Sequence, residues 1–273
     1  WKKEESGSSA AWRGLGGACG SPGDLPMIDK TLSKGLKLLE ALADSETPRG
    51  VTNIASELEL SKSNAHRLLQ TLAALGYVDS VEGRYFATPK IWSLGEKIVG
   101  RLAVRTVALP EMESLALETR ETVHLSILDK TEVIYLEKID SPQPIRAYTE
   151  VGGRAPASAV ATGKAMLAYQ DDDIIAAAAA ALAPHTRLSL ADGDALRKEL
   201  AGVRKLGYAI NRGEWRERIG GLAAPVFNRY GKAVAALGIS GPTDRLTPKL
   251  MRDHAQRVCE AARRVSEKLG ASA

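Results

Sequence analysis

Regular hydrophobic spacing starts at "LSKGLKLLEALAD", where Leu36, Leu39, Ala41 and Leu42 fall on one face of a helix that Ser33 is placed to cap. "VTNIASELEL" repeats the pattern over a shorter length, with Thr52 as cap and Ile54, Ala55 and Leu58 turned inward. A turn from Glu59 to Ser61 leads into "KSNAHRLLQTLAALGYV", with Ser61 as N-cap. There Ala65, Leu68, Leu69, Leu72 and Leu75 recur at three- and four-residue steps, the spacing of a buried helix face. Short helix, tight turn, longer helix is the helix-turn-helix order. The period then changes. Tyr77 to Val81 and Arg84 to Ala87 read as short strands joined by Glu82-Gly83, where glycine supplies the positive φ of a tight hairpin. Helices closed by such a hairpin predict a winged helix-turn-helix.

Thr88-Pro89 gives a cap followed by proline at the first helical position, and a helical pattern runs on to Arg120, interrupted or bent near Pro110. From Glu121 alternation takes over. "TVHLSILD" and "EVIYLEKID" form a hairpin across Lys130-Thr131, and "IRAYTEV" predicts a further strand. Helical spacing returns in "SAVATGKAMLAY", "DDDIIAAAAAALA" and "ADGDALRKELAGVRKLGYA". The strand pair "GLAAPVFNRYGKAVAALGIS" turns at Asn228 to Gly231, and "TPKLMRDHAQRVCEAARRVSEKLG" closes the chain as a long amphipathic helix behind Thr247-Pro248. Strands pairing early and late around several helices predict an α+β domain, a sheet covered mainly by helices.

The leading segment is unlike the rest: Gly/Ser-rich, without periodicity and without the apolar core of a signal peptide. Patterned sequence opens at Met27, so residues 1–27 are expected to be a disordered leader or an artefact. The expected organisation is then a winged helix-turn-helix over 28–90, a linker helix over 91–120 and the second domain over 121–273.

With 44% hydrophobic and 26% charged residues, the chain can bury a real core. Aromatic content of 5% argues against a stacking platform for single-stranded nucleic acid. A net charge of +4 permits an anionic partner without demanding one. Cys19 and Cys259 make neither a CxxC nor a Cys/His cluster, which excludes a zinc site or disulfide framework and fits a reducing compartment. No apolar run reaches the roughly 18 to 20 residues of a membrane helix. A cytoplasmic protein without metal or cofactor is the expectation.

The face of the third helix opposite its leucines carries Lys62, Ser63, Asn64, His66, Arg67 and Gln70, side chains that donate and accept hydrogen bonds rather than the Glu/Lys mixture of a solvated face. In order and spacing, "IASELELSKSNAHRLLQTLAALGYV", "GRAPASAVATGKAMLA" and "GGLAAPVFNRYGKAVAALGISGP" resemble the IclR family of bacterial transcription regulators, over about Leu32 to Leu269. The resemblance implies an N-terminal winged helix-turn-helix, a linker helix and a C-terminal GAF-like effector-binding domain. It also implies dimers formed through the DNA-binding half and tetramers through the effector half.

On that reading, Ser63, Asn64, His66 and Arg67 meet base edges in a major groove about 12 Å wide. Asn pairs bidentately with adenine and Arg with guanine, while Lys62 and the wing's Arg84 are placed for phosphate, with Arg49 as a further backbone contact. Between Ile28 and Lys90 eight basic residues face eight acidic ones, so tight binding must lean on dimerisation and base contacts more than on bulk charge.

For the effector, the resemblance implies Ala161, Thr162, Asn211, Gly221, Gly238 and Ser240. Asn211 stands where a better-known member has an acid, and Gly221 and Gly238 where it has cysteine and serine, implying a roomier, less anionic pocket. Thr162, Asn211 and Ser240 as donors, with Arg212 as countercharge, predict a small carboxylic acid. The reading is a ligand-responsive regulator, more a repressor than an activator, of a catabolic or metabolic operon. Two-fold symmetry predicts a near-palindromic operator. The alternative is an enzyme or ligand-binding sensor module using the same pocket, with DNA binding secondary. His124, Glu137 and Cys259 are each capable of chemistry, and His124 and Ser126 share a strand face. No third partner is evident, however, and P-loop, dinucleotide, GxSxG and HExxH motifs are absent.

Overall fold

The computed structural model describes residues 28–99 and 103–271, so the leader expected at 1–27 lies outside the described residues. Contacts divide the chain into two units between Ser93 and Leu94.

In the first unit, α1 (Lys30–Ala43), α2 (Val51–Glu57) and α3 (Lys62–Ala74) enclose a core of Leu38, Leu42, Ile54, Ala55, Ala65, Leu68, Leu69 and Val78. The cap of α1 is Asp29, whose carboxylate accepts from Leu32 N at 2.7 Å; Ser33 lies inside the helix, which starts a turn earlier than expected. Its buried face is also rotated from expectation. Leu38 and Leu42 go in, while Leu36 stays 50% exposed. Thr52 does not cap α2 either. Arg49 and Gly50 form a short strand, β1, so α2 starts directly from extended backbone at Gly50 without a side-chain cap.

The turn into α3 passes through Glu59 at φ 52° and is closed by Leu60 N donating to Ala55 O at 2.8 Å. Ser61 caps α3 as expected, accepting from Asn64 N at 3.3 Å. In the wing, β2 (Val78–Val81) pairs with β3 (Arg84–Ala87), with Val81 opposite Arg84. Glu82 and Gly83 have φ of 52° and 73°, the doubly left-handed form of a tight hairpin whose twist matches its strands. Strand β1 joins the far side of β3, giving the order β1-β3-β2, a third strand too short for any sequence period to show. Helix α4 (Lys90–Val99) follows, with Lys90 N donating to Thr88 Oγ1 at 3.3 Å.

In the second unit, α5 (Ala103–Thr119) continues through Pro110, where an interruption or a bend was expected, so the helix is not interrupted there. Its Val104, Ala108, Met112 and Leu115 enter the main core. Six strands form one antiparallel sheet: β4 (Thr122–Asp129), β5 (Glu132–Ile139), β6 (Arg154–Pro156), β7 (Ala209–Asn211), β8 (Ile219–Phe227) and β9 (Ala233–Pro242), in the order β6-β5-β4-β9-β8-β7. Residues 145–151, expected as a strand, are irregular. Side chains take two of their carbonyls instead of a ladder: Lys138 Nζ donates to Thr149 O at 2.8 Å and Arg216 to Tyr148 O at 3.4 Å. The sheet edge passes to β6, paired with β5.

The sheet is apolar on both faces, so each must be covered. Alternate residues of β8 and β9 sort the two sides. Leu222, Ala224, Leu237 and Ile239 pack with α5 and with α9 (Pro248–Lys268), whose Thr247 cap is as expected. Ala223 and Ala236 face α6 (Ala161–Leu167), α7 (Asp172–Ala180) and α8 (Gly193–Leu206). These small residues let α6 lie close, and every residue of α6 is buried. A Cβ on its Gly163 would come 2.2 Å from Ala157 O, so only glycine fits.

Candidate functional site

Two surfaces gather the residues singled out above, one in each unit. On α3, Lys62, Ser63, His66 and Arg67 are exposed and Asn64 is half-buried. Positions 62, 63, 66 and 67 share one side of the first two turns, while Ala65, Leu68 and Leu69 anchor the opposite side in the core. Arg84 is exposed at the first position of β3, beside the wing turn. Lys62, Arg67 and Arg84 form no ion pair among the described residues. Arg49 differs: it is half-buried and paired with Glu57, a carboxylate that its hydrogen bond holds below the usual range. That leaves Arg49 less free for phosphate than the other three.

In the second unit, Ala161, Thr162, Asn211, Gly221, Gly238 and Ser240 all line one cavity of about 50 Å³, on the side of the sheet covered by α6. They come from α6, the end of β7 and the two long strands. Asn211 Oδ1 accepts from Gly213 N at 2.9 Å and Glu214 N at 3.1 Å, so its oxygen holds the loop and only its amide NH2 remains for a ligand. Thr162 Oγ1 is buried and has no hydrogen-bond partner among the described residues. A buried hydroxyl left in that state costs about 1–3 kcal/mol, which a ligand in the cavity would recover.

The two glycines also answer to their neighbours. A Cβ at Gly221 would come 2.5 Å from Ile239 O, and one at Gly238 2.5 Å from Ala223 Cβ. Close approach of neighbouring strands therefore requires them. Arg212 is not the countercharge. It points to Glu199, 3.1 Å away, and Glu214, 3.7 Å away. Arg216, at the exposed rim and stacked on Trp215 with 4.3 Å to the ring centroid, is the charged residue that lines the cavity.

His124, Tyr135, Tyr148, Thr149 and Trp215 complete the polar and aromatic wall. His124 signals itself in sequence as the one polar ring in an alternating strand. Tyr148 and Thr149 sit on the irregular segment, where no spacing rule applies. His124 is directly opposite Gly238 on β9. Burial, with the Lys138 charge adding to it, pushes its imidazole down to about 4, so it is neutral near pH 7. Burial likewise pushes the Tyr135 phenol up to about 12.

Beneath the cavity, Lys164 is fully buried, 3.0 Å from Glu199 on α8 and 2.9 Å from Glu214 on the loop after β7. That pair of contacts ties α6 to the wall carrying Asn211, Trp215 and Arg216. Nothing in the sequence spacing marked it.

The residues suspected of chemistry do not assemble. Glu137 is bound to Arg105 at 3.0 Å. Cys259 lies on a separate groove of about 460 Å³ with Tyr169 and Phe227, its thiol pushed up by burial. Among the described residues no acid lines the cavity to orient His124, and no His, Cys, Asp and Glu cluster could hold a metal. No helix among the described residues is long and apolar enough to cross a membrane.

A helix-turn-helix presenting polar side chains, followed by a sheet domain with a small-molecule cavity, defines a DNA-binding transcription regulator with an effector-binding domain. Residues 31–82 match the IclR helix-turn-helix domain and residues 96–267 the bacterial transcriptional regulator IclR C-terminal domain. The chain belongs to the IclR family, whose members are transcription regulators and not enzymes. It is 32% identical over 254 residues to the HTH-type transcriptional regulator KdgR of Escherichia coli, covering 90% of this chain and 96% of KdgR. It is 29% identical over 243 residues to the transcriptional repressor IclR of the same organism, covering 87% and 89%. Among solved structures, an IclR homologue from Microbacterium hydrocarbonoxydans complexed with 4-hydroxybenzoate superposes with a TM-score of 0.77 at 25% identity, covering 89% of this chain and all 100% of that one.

Proposed function

We propose that this regulator is a repressor of a catabolic or metabolic operon, binding a near-palindromic operator as a homodimer or homotetramer and released by a small carboxylic acid. The observation that carries the effector class is the cavity wall: it holds the hydroxyls of Thr162 and Ser240, the amide of Asn211 and the guanidinium of Arg216, and no carboxylate. The 4-hydroxybenzoate bound to the Microbacterium homologue is an acid of this class, and relatives named as repressors favour the direction of control. Lys62, Ser63, Asn64, His66, Arg67 and Arg84 are the DNA contacts, Arg67 and Asn64 reading bases and Lys62 and Arg84 holding phosphate. An apolar stripe of Ile28, Leu32 and Leu36, 71%, 63% and 50% exposed, supports pairing of two copies through the first unit. The effector acts by binding one arrangement of the protein better than the other. A cytoplasmic location follows from its target.

Selection from random duplex DNA tests the reading. A palindrome should be enriched, and Arg67→Ala should weaken binding to it by roughly 10- to 100-fold, the worth of one bidentate base pair contact. A palindrome recovered equally well by Arg67→Ala would remove Arg67 from base reading. In calorimetry with a metabolite panel, binding by neutral or cationic compounds alone would end the carboxylate assignment.

A further inference from the structure

The ring of His124 lies between two hydroxyls. Its Nε2 is 2.5 Å from Ser240 Oγ on β9, and its Nδ1 is 3.3 Å from Thr149 Oγ1 on the irregular segment. Tyr135 packs against it with ring centroids 5.2 Å apart, and no side chain at Gly238 opposite competes for the space. A neutral imidazole carries one N–H and one lone pair, so it can donate at one nitrogen only and must accept at the other. The two hydroxyls are therefore coupled: whichever accepts from the ring, the other must donate to it.

We propose that His124 is a positioning residue that links the ligand in the cavity to the segment 142–152 through one directed chain of hydrogen bonds. A carboxylate accepts only. To bind it, Ser240 must turn its O–H into the cavity, and its oxygen is then free to accept from Nε2–H. Nδ1 is left as the acceptor and takes the O–H of Thr149. The chain runs Thr149 to His124 to Ser240 to ligand, every donor pointing inward. Thr162 Oγ1, buried in the same wall without a partner among the described residues, supplies a second donor to the same anion. The outer end matters because 142–152 lacks a strand ladder and exposes Ile145, Tyr148 and Val151 to 71%, 65% and 51%. Occupying the cavity fixes Thr149 and so fixes the conformation of this apolar surface. This inference rests on the carboxylate reading above, since a ligand that donates would reverse every bond in the chain.

The full-length protein, labelled with 15N-histidine and saturated with whichever of pyruvate, propionate and 4-hydroxybenzoate binds, gives the first test. At neutral pH the His124 of this complex should be neutral with its proton on Nε2; a proton on Nδ1 would overturn the proposal. The second test titrates pyruvate, propionate and 4-hydroxybenzoate into wild type, His124→Phe and Thr149→Val, reading affinity by calorimetry and amide hydrogen exchange at 145–151. Phe keeps the ring packed against Tyr135, and Val keeps the shape of Thr149. In wild type, the acid that binds should slow exchange at 145–151. At saturation with the acid, Thr149→Val should lose the slowing, and His124→Phe should bind about 10-fold or more weakly and show none. Slowing retained in Thr149→Val, or wild-type affinity in His124→Phe, sinks this inference and leaves the carboxylate assignment standing. Binding of neutral compounds in place of the acids sinks both.

Discussion

Single residues in this protein hold more than their neighbours in sequence suggest. Lys164 is the clearest case, a fully buried ammonium between Glu199 and Glu214. Burying both members of a pair adds little net stability, but removing one leaves the other uncompensated at about 3–5 kcal/mol. Glu199 retains Arg212 at 3.1 Å, whereas Glu214, 3% exposed, would keep only the backbone N–H of Arg212 and that residue's guanidinium at 3.7 Å. Lys164→Met should therefore lower the urea midpoint by an amount equivalent to roughly 3–5 kcal/mol, and adding Glu214→Gln should restore a large part of it. Independent, additive losses in the double variant would show that the two residues do not form a working pair.

At the scale of elements, the reading head and the wing are built by different means. Helix α3 is held by Ala65, Leu68 and Leu69 in the core and by its Ser61 cap, so its outward face can be changed at little structural cost. The wing depends on backbone conformation. Glu82 sits at φ 52°, where a side chain other than Gly, Asn or Asp is strained by about 1–2 kcal/mol. Glu82→Asn, completing the Asn-Gly pair favoured in such hairpins, should stabilise the protein by up to about 1 kcal/mol. Gly83→Val, at φ 73°, should destabilise it by about 1–2 kcal/mol and weaken binding to all DNA sequences alike by displacing Arg84. Both are read from urea unfolding, with DNA affinity measured beside the second. If Gly83→Val changed base preference instead, Arg84 would be a base contact and not a phosphate contact.

For the whole molecule, the segment 28–90 is formally neutral, so one copy gains little from non-specific attraction to DNA. On the proposed pairing of two copies, two reading heads together supply the affinity. Leu32→Glu, in the exposed stripe before and along α1, should halve the assembly in light scattering, from dimer to monomer or from tetramer to dimer, and reduce operator affinity at least 100-fold, with the fold of the unit unchanged by circular dichroism. A Leu32→Glu protein of unchanged mass would place the pairing surface elsewhere.

The sequence alone determined the class of fold and the helix-turn-helix, because both rest on local rules. Period, caps and turn chemistry act within a few residues, and they marked α3, the Glu82-Gly83 turn, the β4–β5 hairpin and the Thr247 cap of α9. Family resemblance named six cavity residues, and the fold brings those six together. Where local rules competed, the tertiary structure decided. Segment 145–151 alternates like a strand, but Lys138 and Arg216 take the Thr149 and Tyr148 carbonyls, and Ala147, Tyr148 and Thr149 line the cavity. Strands β1 and β7 exist only because a partner strand lies beside them. Gly221 and Gly238 are fixed by the approach of neighbouring strands, Arg212 is drawn off by Glu199, and Arg216 takes the rim. The setting of His124 between two hydroxyls, like that of Lys164 between two carboxylates, joins residues 25 to 116 positions apart in sequence. Such contacts depend on packing between distant elements, and no pattern along the chain encodes them one segment at a time.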